Sequence, residues 1–412
     1  MLNAAYSAFT ALLSGAVLPL FLASERGRSR LAERFGCWNL ICGEPLAWFH
    51  GASVGEVNGL LPLIGEYRKR NPSEKILLTA TSSTALERLP DAVTHARLLP
   101  FDSNFWIRKA LRQISITKFI VSETELWPGL ISQLHRKGVP CYLVNGKLSD
   151  FTWPRYRRLR FIFGPVLRKF SKIMVTGAKA ANRFQELGVA KEKIFVTGNS
   201  KYDQPPAITD GAQADRLRRE LFLSDGAVVV LGSIRPSEER YWFPPIKEAL
   251  ESGAALNVVV APRHKEKFEY FADELKRSGI PFKRWSEMGG SAASERVVLL
   301  DTMGVLSGIY AIADLAFIGA TLVDLGGHNP LEAAQYKVGV CMGPYATNIK
   351  DVFDELLSKD ALYLVKSRDD VAALIHKLLK ERASLKVKGS RAFEVWQANF
   401  GATERILEKL DL

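Results

Sequence analysis

Short runs of aliphatic and β-branched residues recur along this chain, each closed by a glycine or a small polar residue. Between them the apolar positions fall three and four apart. Residues 45–50, 76–80, 119–122, 141–144 and 173–176 read as buried strands. The first runs through Gly51 and Ala52 into a helix with Val57, Leu60, Leu61 and Ile64 on one face, and 127–137 reads as another helix. Residues 203–211 are rich in turn formers and poor in apolar periodicity, so they read as a linker. The rhythm then restarts with 228–231, 258–261, 297–300 and 315–318, and the chain ends in helices, the last over 403–412. Strands alternating with helices predict an α/β fold of parallel sheets covered on both faces. The expected organisation is a domain over 31–203, a linker over 204–212 and a second domain over 213–412, with the last helix returning toward the first. Two such domains should face each other across a cleft that receives ligands at the strand carboxyl ends.

Residues 1–24 carry no charged side chain and 12–22 are strongly apolar, with Arg26, Arg28, Arg30 and Arg34 directly behind. A signal peptide has the opposite order. Basic residues downstream point instead to an anchor over 1–30, spanning or embedded, with the bulk of the protein cytoplasmic.

The formal net charge of +12 over 412 residues calls for an anionic partner. Residues 151–170 concentrate that charge, with six basic residues, six aromatics and no acid. Arg155, Arg157, Arg158 and Arg160 there suit an anionic membrane surface or an acidic acceptor, or equally the solvated side of an ordinary amphipathic helix. No nucleic-acid motif accompanies the charge, so nucleic acid is not an expected partner. The four cysteines are scattered, as in a reducing compartment.

Candidate chemistry centres on 48–58 (WFHGASVGEVN), a strand, a glycine turn and a helix with Glu56 in its first turn. A carboxylate there lies where open α/β sheets hold their ligands. Ser53 and Glu56 also have the spacing of a capping box, so a purely structural role stands beside the functional one. Residues 326–334 (GGHNPLEAA) suggest a phosphate site, with Asn329 as N-cap and Pro330 at the first helical position. Glu332 there either completes a cap or receives a ribose. Gly232-Ser233 and Pro262-Arg263-His264 are further turns after strands. No GxGxxG follows the first strand, and there is neither a P-loop nor an Asp-x-Asp. Glu123 and Glu125, two apart, would face opposite ways on a strand, and His50, His264 and His328 lack paired spacing. Neither a metal nor a cofactor is expected.

Taken together and in order, several segments resemble the Kdo (3-deoxy-D-manno-octulosonic acid) transferases of lipid A biosynthesis. They are 49–56 (FHGASVGE), 123–128 (ETELWP), 144–149 (VNGKLS), 197–203 (TGNSKYD), 262–264 (PRH), 301–304 (DTMG) and 326–332 (GGHNPLE). The resemblance implies a GT-B fold: two Rossmann-like domains facing across a cleft, with an N-terminal membrane-associated helix. It implies inverting, metal-independent transfer of Kdo from CMP-Kdo to a lipid A precursor (lipid IVA) at the cytoplasmic face of the bacterial inner membrane.

Position by position, Glu56 matches the general base, and Glu123 and Lys201 match residues that stabilise the transition state. Pro262, Arg263, Met303, Gly304, Asn329, Pro330, Leu331 and Glu332 match the CMP-binding set. Ser233 and His328 are further donor contacts. Val305 joins them through its backbone alone, where the family usually has Glu. Gly146-Lys147 stands for a more usual Ala-Arg, and Ser233-Ile234-Arg235 for Ser-Thr-His. Two rival readings keep the fold: a transferase using a UDP-sugar, as in lipid A disaccharide synthases, and a catalytically dead membrane-associated binding protein. Stabilisation by UDP and not CMP would mark the first.

Overall fold

The computed structural model describes residues 6, 10–12, 14–16, 18–23, 28–40, 44–87, 89–112, 114–203, 206–222, 225–289 and 293–410. Much of the expected anchor, and residues 204–205 of the expected linker, lie outside these. Among the described residues no helix is long and apolar enough to cross a membrane. The chain divides into two compact units, one of Met1–Asp203 with Asn399–Leu412, the other of Gln204–Ala398.

The first unit is built on a seven-stranded sheet of β1 (Leu46–His50), β2 (Lys75–Ala80), β3 (His95–Leu98), β4 (Ile116–Ser122), β5 (Cys141–Gly146), β6 (Lys172–Val175) and β7 (Ile194–Val196). Its order is β3-β2-β1-β4-β5-β6-β7, and neighbours pair parallel. All of β1 is buried, because both faces of the sheet are covered. Alternate side chains therefore enter two separate cores. Leu46 and Trp48 join Phe119 and Val121 on one face, while Ala47 and Phe49 join Leu60, Ile64 and Tyr67 on the other. Trp48 meets Phe119 edge to face with ring centres 4.8 Å apart.

The second unit repeats the plan with β8 (Ala227–Ile234), β9 (Leu256–Pro262), β10 (Lys283–Arg284), β11 (Val297–Leu299), β12 (Leu315–Ile318), β13 (Gly339–Met342) and β14 (Tyr363–Leu364). Here the order is β10-β11-β9-β8-β12-β13-β14. Val229, Leu231, Trp242, Val258 and Phe317 lie in its core.

In each sheet the order reverses beside the first strand, between β1 and β4 and between β8 and β12. Connections leave these pairs in opposite directions, the place where open α/β sheets hold ligands; Glu56 and Glu123 follow β1 and β4, and residues 326–332 follow β12.

Candidate functional site

In the first unit, β1 ends at His50 and the chain turns through Gly51 into the helix Val54–Arg70. A Cβ on Gly51 would lie 3.0 Å from the Val57 nitrogen and 3.1 Å from the Glu56 carbonyl carbon, so only glycine lets the helix start this close to the strand. Ser53 caps the helix, accepting from Glu56 N at 3.3 Å. The Glu56 carboxylate accepts from Ala52 N at 2.8 Å and from the Ser53 hydroxyl at 3.0 Å. This is a capping arrangement whose return bond goes to the residue before the cap. Burial raises the half-buried Glu56 carboxyl above the ordinary carboxylate range, the Ala52 N–H opposes this, and the neighbouring Glu123 raises it further.

Glu123 follows β4 directly, on the other side of the switch point. Its backbone is left-handed, with φ 57°, an uncommon conformation for a side chain of this size. Its N–H donates to Val144 O at 2.8 Å, and its carboxylate lies 3.0 Å from the Lys147 ammonium. Glu125 is pushed up to about 7 by burial and by the charges of Glu56 and Glu123. Lys201 lies on the short turn Ser200–Tyr202, with its side chain against Gly59 of the Val54–Arg70 helix. Burial, then the neighbouring Lys147, lowers its ammonium, while Glu123 acts the other way. Glu56, Glu123 and Lys201, brought forward by sequence, are thus joined by Lys147 and Glu125, which that reading left out of the site.

The second unit gathers a basic group of side chains at the ends of β8, β9 and the 326–332 loop. Ser233 has a left-handed φ of 54°, and Arg263 N donates to Ile234 O at 3.4 Å. His328 is pushed down to about 4 by burial and then by Arg263, Arg235 and His264. Its Nε2 and the Nε of Arg235 are buried with no hydrogen-bond partner among the described residues. Burial raises Glu332, and Arg263 and Asn329 oppose that rise. Pro262 closes β9, Gly304 takes a φ of 89°, and Met303 is about half exposed. Val305 caps the four-residue helix Leu306–Ile309.

The expected phosphate helix is a single turn, Leu331–Ala334, so its dipole is small. Pro330 takes the cap position, one residue later than expected, and Asn329 accepts from Leu331 N at 3.0 Å. Leu331 itself is a core side chain, 1% exposed. The loop's glycines matter for approach instead. Gly326 and Gly327 have φ of 85° and 79°, and Gly327 N donates to Ala320 O at 2.8 Å.

One carboxylate passed over in the sequence organises this switch point. Glu238 is fully buried and accepts from Arg235 N, Ala320 N, Thr321 N and Leu322 N at 2.8–3.0 Å. It ties the loop after β8 to the loop after β12. Gly319 permits that approach, since a Cβ there would overlap the Ser233 carbonyl.

Arg155, Arg157 and Arg158 lie exposed on the helix Trp153–Arg158, and Arg160 opens the next helix, Arg160–Leu167. Trp153 and Tyr156 pack inward, while Phe151 and Phe161 are 88% and 64% exposed. Among the described residues no group of three or more His, Cys, Asp or Glu side chains is arranged to hold a metal.

Residues 29–204 match the family described as 3-deoxy-D-manno-octulosonic-acid transferase (kdotransferase). Over 398 residues, 95% of this chain and 93% of the other, the sequence is 33% identical to the 3-deoxy-D-manno-octulosonic acid transferase of Haemophilus influenzae. The chain belongs to the 3-deoxy-D-manno-octulosonic acid transferase family. It is 30% identical over 385 residues to the transferase of that name from Chlamydia trachomatis serovar A, covering 91% of this chain and 88% of that one. Among solved structures it resembles the UDP-GlcNAc 2-epimerase from Neisseria meningitidis bound to UDP-GlcNAc. The TM-score is 0.59 over 89% of this chain and 99% of that one, at 12% identity, which is a likeness of fold alone.

Proposed function

We propose that this Kdo transferase moves Kdo from CMP-Kdo to a lipid A precursor, lipid IVA, by a single inverting displacement without a metal. Glu56 removes the proton of an acceptor hydroxyl as its oxygen bonds to the anomeric carbon. The bond from that carbon to the CMP phosphate breaks on the opposite side, and CMP leaves with the electron pair. The transition state is oxocarbenium-like, as in glycoside hydrolysis. Charge growing on the leaving phosphate meets Arg263, and Lys201 holds negative charge on the donor sugar's carboxylate or on that phosphate, so side chains supply what a metal otherwise would.

The carrying observation is Glu56 itself, a half-buried carboxylate at the β1–β4 switch point, held by Ala52 N and Ser53 and raised by its surroundings. A base whose pKa is lifted toward neutrality is better matched to a hydroxyl proton.

The acceptor is anionic and amphipathic, which fits exposed Phe151 and Phe161 beside Arg155, Arg157, Arg158 and Arg160. With the net charge of +12, this face supports residence on the cytoplasmic side of the inner membrane.

The test uses membranes carrying the protein, lipid IVA and CMP-Kdo, with added Kdo weighed by mass spectrometry. Glu56→Gln should lower kcat by about 10²–10⁴-fold. CMP should raise the melting temperature and UDP should not. Near-wild-type turnover of Glu56→Gln would remove the base assignment, and stabilisation by UDP alone would remove the donor.

A further inference from the structure

We propose that Lys147 is a positioning residue of this site, whose ammonium fixes the Glu123 carboxylate and supplies the positive charge against which Glu123 and Glu56 both work. The inference rests on Glu56 being the base.

The backbone around Lys147 is built for one placement. Gly146 precedes it, and a Cβ there would press on the Leu143 side chain and lie 3.2 Å from Met174 O, so the end of β5 is closely packed. Asn145, at φ 54°, donates through its side-chain amide to Ser200 Oγ at 2.9 Å and accepts from Ser200 N at 2.9 Å. Ser200 Oγ in turn donates to Gly59 O at 2.9 Å, on the helix that carries Glu56. On the other side, the Thr124 hydroxyl donates to the Lys147 carbonyl, next to Glu123. The ends of β4 and β5, the Ser200–Tyr202 turn and the Val54–Arg70 helix are thereby joined, and the Lys147 ammonium stands 3.0 Å from Glu123.

Fold stability does not account for this ion pair. Its side chains are 32% and 26% exposed, and pairs of that kind are worth about 0–1 kcal/mol. Its electrical consequences are larger. The ionisable groups acting around Glu56 are Glu123 and Glu125 after β4, Lys147 after β5, and Lys201 from the turn. Three carboxyl groups share two ammonium groups. Burial and then Glu123 raise Glu56, and the Ala52 N–H, the Ser53 hydroxyl and Lys147 lower it, in that order. Without Lys147 its own attraction is gone, and Glu123 keeps only Lys201 as a cationic neighbour. Glu56 must then lose its proton at higher pH.

The experiment measures kcat and KM against pH for wild type, Lys147→Met, Lys147→Gln and Lys147→Arg, with Glu56→Gln alongside. The neutral variants should move the acid limb of kcat up by about one pH unit. Acceptor KM should stay within about twofold, since positioning acts on the step and not on binding. Lys147→Arg keeps the charge and should keep the wild-type limb. A limb unmoved in both neutral variants overturns the proposal, as does a rise in acceptor KM with kcat and its limb unchanged. Loss of turnover in Glu56→Gln with an unmoved limb in Lys147→Met refutes Lys147 alone. Wild-type turnover in Glu56→Gln refutes the base reading and this inference with it.

Discussion

A carboxylate can cap a helix and act as a base only if its cap bonds leave it reactive. In Glu56 one oxygen takes Ala52 N and the other the Ser53 hydroxyl, each through one lone pair, so further acceptor capacity remains. The spacing of Ser53 and Glu56 was legible in sequence because capping is local. Of the neighbourhood that tunes Glu56, Glu123 and Lys201 came forward through the family resemblance, whereas Glu125 and Lys147 did not, because residues following different strands meet only in the fold. His50 shows the same limit. Sequence offered it as an unpaired histidine, and the structure buries it completely, with Nδ1 at 3.0 Å from Thr79 O and Nε2 without a partner among the described residues. Burial pushes it down to about 3, against the bond to Thr79. An unfolded histidine takes up its proton near pH 6.5, so below that pH the unfolded chain binds a proton that the native one refuses. The stability this neutral histidine contributes is therefore complete above about pH 6.5 and is lost as pH falls toward 3. Between pH 7 and 5 wild type should lose about 2 kcal/mol more than His50→Gln in urea titrations. Parallel losses would show that His50 is protonated in both states.

At the scale of elements, the central strands other than β13 were read as unbroken apolar runs because both faces of each sheet are covered, while β13, a buried run of four that starts on Gly339, was missed. The edge strands β3, β7, β10 and β14 were missed too. They are short and partly exposed, with His95, Arg97, Lys283 and Arg284 among their residues, so no apolar run marks them. The N-terminus of the helix Glu239–Glu251 was passed over. Arg235 and Glu238 stand three apart, a local pair, but nothing in that spacing announces the three N–H groups of 320–322. Those bonds make Glu238 a clasp between the β8 and β12 loops, and burial still raises its carboxyl against them. Glu238→Gln keeps the shape but turns one acceptor into a donor facing N–H groups, leaving buried donors unpaired. An unmatched buried group costs roughly 1–3 kcal/mol, so the variant should lose about 3 kcal/mol in denaturant titrations. Calorimetric titration with CMP should show weaker binding, because Ser233 and Arg235 sit on the loop released. Wild-type stability and wild-type CMP affinity together would show the clasp to be dispensable.

For the whole molecule, the decisive fact is that the first unit is closed by the end of the chain. The boundary at 203 was visible as a break in apolar rhythm, but a terminal helical pattern does not say which core it will enter. In the structure Ile406, Leu407 and Leu410 are fully buried among Ala47, Phe49, Leu60 and Leu63, side chains some 350 residues earlier in the sequence. Asp203 holds the segment's entry, accepting from Gly401 N and Thr403 N at 2.7 Å, and Arg405 Nε donates to Thr197 O at 2.9 Å. Burying one such aliphatic side chain contributes about 1.5–3 kcal/mol, so three contribute about 4.5–9 kcal/mol. That is comparable with the whole stability of a typical domain, about 5–15 kcal/mol. Removing 399–412 should therefore unfold the first unit or leave it marginal, although the deletion touches neither Glu56 nor Lys201. The core of the second unit contains none of these side chains, so it should keep its own transition in scanning calorimetry, still raised by CMP. Leu407→Ala, a milder form of the same loss, should cost about 2–5 kcal/mol and lower only the first unit's transition. If the truncated chain melted like wild type, the closure would be a covering and not a support. If both transitions fell together, the two units would be one cooperative body, and the terminal segment would stabilise the donor half as much as the half it completes.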